Sequence, residues 1–354
     1  MAALALVALD LVQGRDRIRV DKRVFRDRTN PLDMYNDAEM QKRYRFSRRG
    51  VLHLIGLLNV EIDNETLRSN AIPPALKVFV ALNYFATGSL LASIGTIHGV
   101  SNSTASRILR EVVVAICNHR KEYIKFPEGD QEVREAQNAF FRIASFPKVV
   151  GCIDCTHIHL IGSKLGDNEY IYTNRKGRHS ISTQLICSAD YRILNVVARW
   201  PGSHHDSRIL ASSRTPLRFE EGRYQGILLG DSGYGQNAWL LTPFLNPRNQ
   251  AERAYNDAHC CTRVKIEMVN GQLKNKFRCL IGHGMILKPE RACDVITACC
   301  VLFNISKQLK EPNILHDEEE IVAADLAQGR DIDNADGVAL RATIVNRFFT
   351  WYGH

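Results

Sequence analysis

Val149-Val150-Gly151-Cys152-Ile153-Asp154-Cys155-Thr156-His157-Ile158-His159-Leu160-Ile161 is an apolar, strand-like run with a carboxylate at its middle. A charge in such a run is costly unless it is paired or metal-bound. A second run, Gly226-Ile227-Leu228-Leu229-Gly230-Asp231-Ser232-Gly233-Tyr234, carries Asp231, and Glu267 follows with thirty-five residues between, on a stretch that reads as a helix. Three acids in this arrangement outline a metal-dependent phosphoryl-transfer site. Phosphodiester cleavage uses two hard cations about 3.5 to 4 Å apart, and such cations prefer oxygen ligands.

Each acid also has a plainer reading. On a strand, Asp154 shares a face with Cys152 and Thr156, while Cys155, His157 and His159 fall on the other, and a lone buried Asp can simply be a satisfied structural group. Asp231 ends its run before Ser232-Gly233, where open sheets place ligands, although a turn-forming Asp would look the same. Glu267 has Arg263 four residues before it, so a surface salt bridge worth well under about 1 kcal/mol is the alternative to a metal ligand.

From Pro147 onward, short runs of period two predict a sheet, with strands over 148–161, 180–189, 193–200 and 226–231. His205 to Ser213 reads as a helix between the third and fourth, 249–281 as mainly helical, and Lys288 to Lys310 as another helix. The expected class is α/β, a mixed sheet flanked by helices. Asp206 is read as the cap of its helix, with a fourth acid near the metals as the alternative, and His205 as an accessory polar group. Asn174, Arg175, Lys176, Arg178 and His179 form a basic turn that either holds DNA or projects into water.

Upstream the pattern is helical. Helices are expected from Ser47 to Leu58, from Pro73-Pro74 through Ala86, over Leu90 to His98, and from Asn102 to Cys117 after the turn Gly99-Val100-Ser101. The last two form a helix-turn-helix pattern. Its second helix would expose Asn102, Ser103, Ser106, Arg107 and Arg110 to DNA, although helical bundles use the same turn without touching nucleic acid. Residues 15–49 read as a solvated basic arm. The resulting division is 1–45 basic arm, 46–146 helical domain, 147–310 catalytic domain, and 311–354 acidic tail with a terminal helix from Val338 to Tyr352.

The chain has 354 residues, 45% hydrophobic and 24% charged, as in ordinary globular proteins. Its net charge is +8, but Glu311 to Asp336 holds nine acids and one base, a local balance of minus eight that leaves +16 elsewhere. That surplus favours a polyanionic partner without identifying one. Lys274, Lys276 and Arg278, following Glu267, are candidates for phosphate contact, with solvated charge as the alternative. Ten cysteines lie mostly in apolar runs and read as reduced thiols of an intracellular protein. Cys152 and Cys155 would point to opposite faces of a strand, against a zinc site. The opening segment lacks a basic leader, and no run reaches the roughly 18 apolar residues of a membrane span.

Five ordered motifs carry a family resemblance: Gly151-Cys152-Ile153-Asp154-Cys155-Thr156-His157; Tyr172-Thr173-Asn174-Arg175-Lys176-Gly177-Arg178-His179-Ser180; Trp200-Pro201-Gly202-Ser203-His204-His205-Asp206-Ser207; Leu229-Gly230-Asp231-Ser232-Gly233-Tyr234; and Glu267 followed by Gly271, Leu273, Lys274, Lys276, Phe277 and Arg278. Together they resemble PIF/Harbinger DDE transposases and their transposase-derived nucleases. The resemblance implies an RNase H-like catalytic domain with Asp154, Asp231 and Glu267 as catalytic and metal-binding acids. It further implies two Mg2+ or Mn2+ ions, and DNA cleavage and strand transfer at element ends. A Myb-like partner protein, a homodimer that handles two ends, and nuclear localisation with or without a cytoplasmic pool complete the expectation. A domesticated nuclease without transposition, or a non-enzymatic DNA-binding protein, are the alternatives. Two positions depart from the family pattern: Asn270 stands where phenylalanine commonly precedes the glycine, and Gly235 replaces a proline.

Overall fold

The computed structural model describes residues 30–63, 71–162, 165–282, 284–312 and 333–350. Before the sheet begins, the chain builds a helical layer from α1 (Asp37–Tyr44), α2 (Arg48–Ile62), α3 (Pro74–Thr87), α4 (Leu91–Ile97), α5 (Asn102–Asn118) and α6 (Gly129–Ala144). Local chemistry sets several of these starts. Asn36 and Glu39 close a reciprocal capping box on α1, Ser47 accepts from the Gly50 amide at 3.2 Å on α2, and Ser101 accepts from the Thr104 amide at 3.2 Å on α5. Pro74 opens α3, where its missing N–H costs nothing. Gly88 ends α3 at a φ of 65°, and a β-carbon there would meet the Cys279 backbone at 3.0 Å. Only glycine suits both demands.

The solvated-arm reading of 15–49 is corrected where the structure describes it. Met40, Tyr44 and Phe46 are buried, and Tyr44 packs edge-on against Phe79 at 4.8 Å. Burying apolar groups of this size is worth roughly 1.5–3 kcal/mol each, which outweighs the solvation of the arginines around them. Residues 1–29 and the acidic stretch 313–332 lie outside the described residues. The terminal helix begins at Ala335, earlier than expected, as α-helix to Ile344, and continues as a π turn to Phe349.

The run around Asp154 is β1 (Val149–His159), followed by β2 (Ser180–Cys187), β3 (Ile193–Pro201), β4 (Ile227–Leu229) and β5 (Leu240–Leu241). They form one mixed sheet in the order β3-β2-β1-β4-β5, antiparallel from β1 through β3 and parallel from β1 through β5. The two-residue β5 is too short to show a period, and the sequence reading did not include it. Between β3 and β4 lie two short helices, α7 (Asp206–Ala211) and α8 (Thr215–Glu220), where one was expected. Downstream come α9 (Gln250–Lys276), α10 (Pro289–Gln308) and α11 (Ala335–Ile344).

Both sheet faces are covered. Val149, Cys152, Ile158 and Leu185 join a core that continues into the N-terminal helices, with Phe85 of α3 packed against Phe277 at 6.4 Å. Val150, Ile153, Ile186 and Leu228 face a smaller aromatic core of Phe126, Phe219, Tyr224 and Tyr234. The helical layer and the sheet are therefore one packed body, with α9 seated against β1.

Candidate active site

Strand register brings the first two acids together. Cys152 of β1 lies beside Leu229, the last residue of the parallel β4, so Asp154, two residues further along β1, comes level with Asp231, two residues past the end of β4. Gly230 makes this possible: a β-carbon there would stand 2.9 Å from the Tyr234 ring. The Asp231 carboxylate then accepts from the Gly233 amide at 3.0 Å, which fixes it at the strand end.

Asp206 is the third member of the cluster. Oxygens of Asp154, Asp206 and Asp231 all lie within 4.8 Å of one another. The cap reading of Asp206 is corrected: His205 is the N-cap of α7, and no side-chain cap bond forms there. The Asp206 carboxylate instead faces the other two acids, over a buried layer in which Gln184 of β2 donates to the Tyr234 hydroxyl at 3.2 Å and to the Asp206 carbonyl at 3.4 Å. Tyr234 also reaches the Cys155 thiol at 3.5 Å. The sequence offered a signal for Asp206, since it lies in the turn region after β3, but its place at a helix start favoured the cap.

Burial pushes the Asp154 carboxyl up to about 8, with Asp231 and Asp206 adding to the rise and Arg263 opposing it. Burial also lifts Asp206 to about 6, helped by Asp231, and raises Asp231 itself. Three like charges at this separation cannot all ionise cheaply without a cation between them. An all-oxygen set of this kind suits hard divalent ions. Two polar atoms beside the cluster are orphaned: Gln184 Oε1 is buried without a partner, and so is Oδ1 of Asn270 on α9, whose Nδ2 donates to Asp154 Oδ2 at 3.1 Å. The donor set therefore fits a divalent metal, with Asp154, Asp206 and Asp231 as its nearest ligands.

Glu267 stands apart from this trio and is ion-paired with Arg263, four residues earlier on α9. It is close enough to Asp231 to raise that acid's pKa. Burial works against the Arg263 cation, but Asp154, Glu267 and Asp231 outweigh it and hold its pKa above the ordinary arginine value. The salt-bridge alternative for Glu267 is thus realised next to the acids, on a partly buried helix face.

The basic residues divide by location. On α5, Asn102, Ser103, Arg107 and Arg110 are exposed and Ser106 is half-buried, with Arg107 donating to Thr104 at 3.3 Å. In the turn before β2, Asn174 is buried and its side-chain oxygen accepts from the Lys176 and Arg178 amides at 3.0 and 3.1 Å, leaving both side chains outward. Arg175 reaches His205 Nδ1 at 2.6 Å, so the turn closes over the start of α7. Lys274 lies near Asp154, and burial lowers its pKa to about 8. Lys276 is corrected as a surface phosphate contact: it is 5% exposed, with its ammonium 4.9 Å from the Phe46 ring centre. Arg278 sits half-buried in the turn after α9, near Arg45.

The sequence reading missed Asn270 as a partner of Asp154, although its place three residues after Glu267 put it on the same helical face. It also left out His159, which lines a cleft with Leu160, Arg178, His179 and Gly282 and whose Nδ1 is buried without a partner. Cys152 donates to the Thr262 carbonyl at 3.4 Å, away from Cys155 and its tyrosine, as the strand alternation requires. All ten cysteines are free, and among the described residues no helix is long and apolar enough to cross a membrane.

A DDE superfamily endonuclease model matches residues 153–304, the stretch that holds every acid above. HARBI1 of Homo sapiens is 33% identical over 310 residues, 86% of each chain, and HARBI1 of Mus musculus is 34% identical over the same length. Protein ALP1-like of Arabidopsis thaliana is 25% identical over 291 residues, 77% of this chain and 71% of its own. No solved structure matches the chain.

Proposed function

Because the chain belongs to the Harbinger transposase-derived nuclease family of DDE endonucleases, we propose that it cleaves DNA strands with divalent metal ions and transfers the resulting 3'-hydroxyl to a second phosphodiester. The observation that carries this reading is the convergence of Asp154, Asp206 and Asp231 oxygens within 4.8 Å. Two Mg2+ or Mn2+ ions, when bound, supply Lewis-acid stabilisation of the entering and leaving oxygens.

The protein's own residues do the rest. Asp154 supplies anionic oxygens from the middle of β1 and Asp231 from just past the end of β4, and Asn270 fixes one Asp154 oxygen by its hydrogen bond. Asp206 closes the third side of the cluster, and Glu267 supplies the further carboxylate that the family's DDE pattern assigns to the site. Arg175, which bears on Asp206, and Lys274, which bears on Asp154, would hold the phosphate backbone together with the exposed Lys176 and Arg178. The exposed face of α5 and Arg278 would supply further phosphate contacts. In this reading the catalytic domain is RNase H-like, and α4 and α5 act as a DNA-contacting helix-turn-helix.

The same proposal includes a homodimer, since joining two DNA ends requires two sites, together with a Myb-like partner protein and work in the nucleus. Plasmid nicking in Mg2+ or Mn2+ tests the catalytic part. Asp154→Ala, Asp231→Ala and Glu267→Ala should each abolish nicking while melting temperature and DNA retention stay near those of the unmodified protein. Full metal-dependent nicking by any of the three would remove that acid from the mechanism. Excision of a marked element in cells supplied with the Myb-like partner separates a transposase from a nuclease that only cuts.

A further inference from the structure

Arg263, Glu267, Asn270 and Lys274 recur along α9 at spacings of four, three and four, so one stripe of the helix is directed at the aspartates. At its head, Arg263 donates to Glu267 from a side chain only 14% exposed, against 32% for Glu267. The same guanidinium is the strongest opposing charge acting on both Asp154 and Asp231. Glu267 is meanwhile absent from the group of oxygens gathered within 4.8 Å.

We propose that Arg263 is a resident counter-ion that holds Glu267 off the aspartate cluster and gives it up when divalent cations bind. A single guanidinium cannot balance the aspartates and Glu267 together, whereas a pair of divalent ions in the same low-dielectric site can. Arginine cannot shed its proton to make way, so it has to be out-competed rather than neutralised. Arg263 is thus a positioning residue, and its effect on metal affinity is unfavourable: the Arg263–Glu267 pair and the bound ions oppose one another, reciprocally. The inference rests on the reading of this site as metal-dependent.

The test is calorimetric titration of the full chain with Mn2+ alone, without DNA, for the unmodified protein and for R263Q, R263K and D154N. R263Q is expected to bind Mn2+ about tenfold more tightly, and R263K, which keeps the charge but loses the planar fork, to show a smaller gain in the same direction. The manganese spin-resonance signal of free ion should vanish at correspondingly lower Mn2+ additions. A scaffold role, or a role in aiming Glu267 at the metal, gives unchanged or weaker affinity in both variants, and either result overturns the proposal. Should R263Q fail to fold, R263K decides by the same criterion. Mn2+ binding that D154N abolishes but Arg263 variants leave unchanged sinks this inference alone. Binding that is absent, or indifferent to D154N, sinks it together with the metal-dependent reading.

Discussion

The side-chain amide of Asn270 donates to Asp154 Oδ2 at 3.1 Å from a position three residues beyond Glu267 on α9. A residue that departs from the family pattern is therefore in direct contact with a central acid. Hydrogen bonds to ligating carboxylates commonly carry about 10- to 100-fold in metal affinity or activity. Asn270→Ala should lower the nicking rate by about tenfold and raise the Mn2+ concentration needed for half-maximal rate. Unchanged values for both would show that the contact is incidental.

Asp206 separates a structural from a functional carboxylate. A true helix cap is worth about 0.5–2 kcal/mol, which Asp206→Ala would forfeit. Since Asp206 makes no cap bond and crowds two like charges, the substitution should leave the metal-free melting temperature unchanged or raise it. Nicking should fall on the order of 100-fold, because an oxygen donor to the cation site is lost. A lower melting temperature with nicking intact would restore the cap role.

The acids also make stability depend on pH in a definite direction. Burial, first of all, holds Asp154 up to about 8 and Asp206 up to about 6, whereas unfolded chains ionise such carboxyls near about 4. Between those limits the folded protein holds more protons than the unfolded chain, so the contribution is present below about pH 4 and lost as pH rises through about 8. In a chelator, thermal melts taken from about pH 5 to about pH 8 should show a fall in stability that is smaller in Asp154→Asn, and Mn2+ should restore the loss at the upper end. An identical slope in the Asn variant would exclude Asp154 as its source.

Lys274 and Lys276, two residues apart, should behave differently. Lys274→Gln is expected to weaken DNA retention evenly across sequences and to reduce the slope of log affinity against log salt by about one. Lys276 is 5% exposed and lies over Phe46, so Lys276→Met should leave that salt slope unaltered. Salt-titrated fluorescence anisotropy with a labelled duplex reads both. Equal slope changes would mean that the Lys276 ammonium reaches phosphate after all.

His159 offers a comparable check on the cleft it lines with Arg178 and His179. Burial, then the charges of Lys274 and Arg178, keep its imidazole below the ordinary histidine range, so it is neutral at pH 7. His159→Phe should therefore leave the salt slope intact at neutral pH, while Arg178→Gln lowers it by about one.

Much of this architecture is legible along the chain, because period-two and period-3.6 patterns and capping side chains act within a few residues. The strand around Asp154, the hairpin from Ser180 to Pro201, the carboxyl-end position of Asp231 and the capped start of α5 all follow from such local rules. The same rules place Glu267 on a helix and distribute the basic residues, and the ordered motifs name the family. Which acids actually meet is a matter of packing over long separations. The parallel register of β1 and β4 sets Asp154 beside Asp231, the turn after β3 swings Asp206 into that pair, and the seating of α9 delivers Asn270 to Asp154 while Arg263 keeps Glu267. Met40, Tyr44 and Lys276 likewise go inside against the charge of their neighbourhoods, because the apolar surface waiting for them belongs to helices tens to hundreds of residues away. Local pattern specifies which face a residue takes. It carries no information about what that face will touch, since that depends on how much apolar area the whole assembly can remove from water.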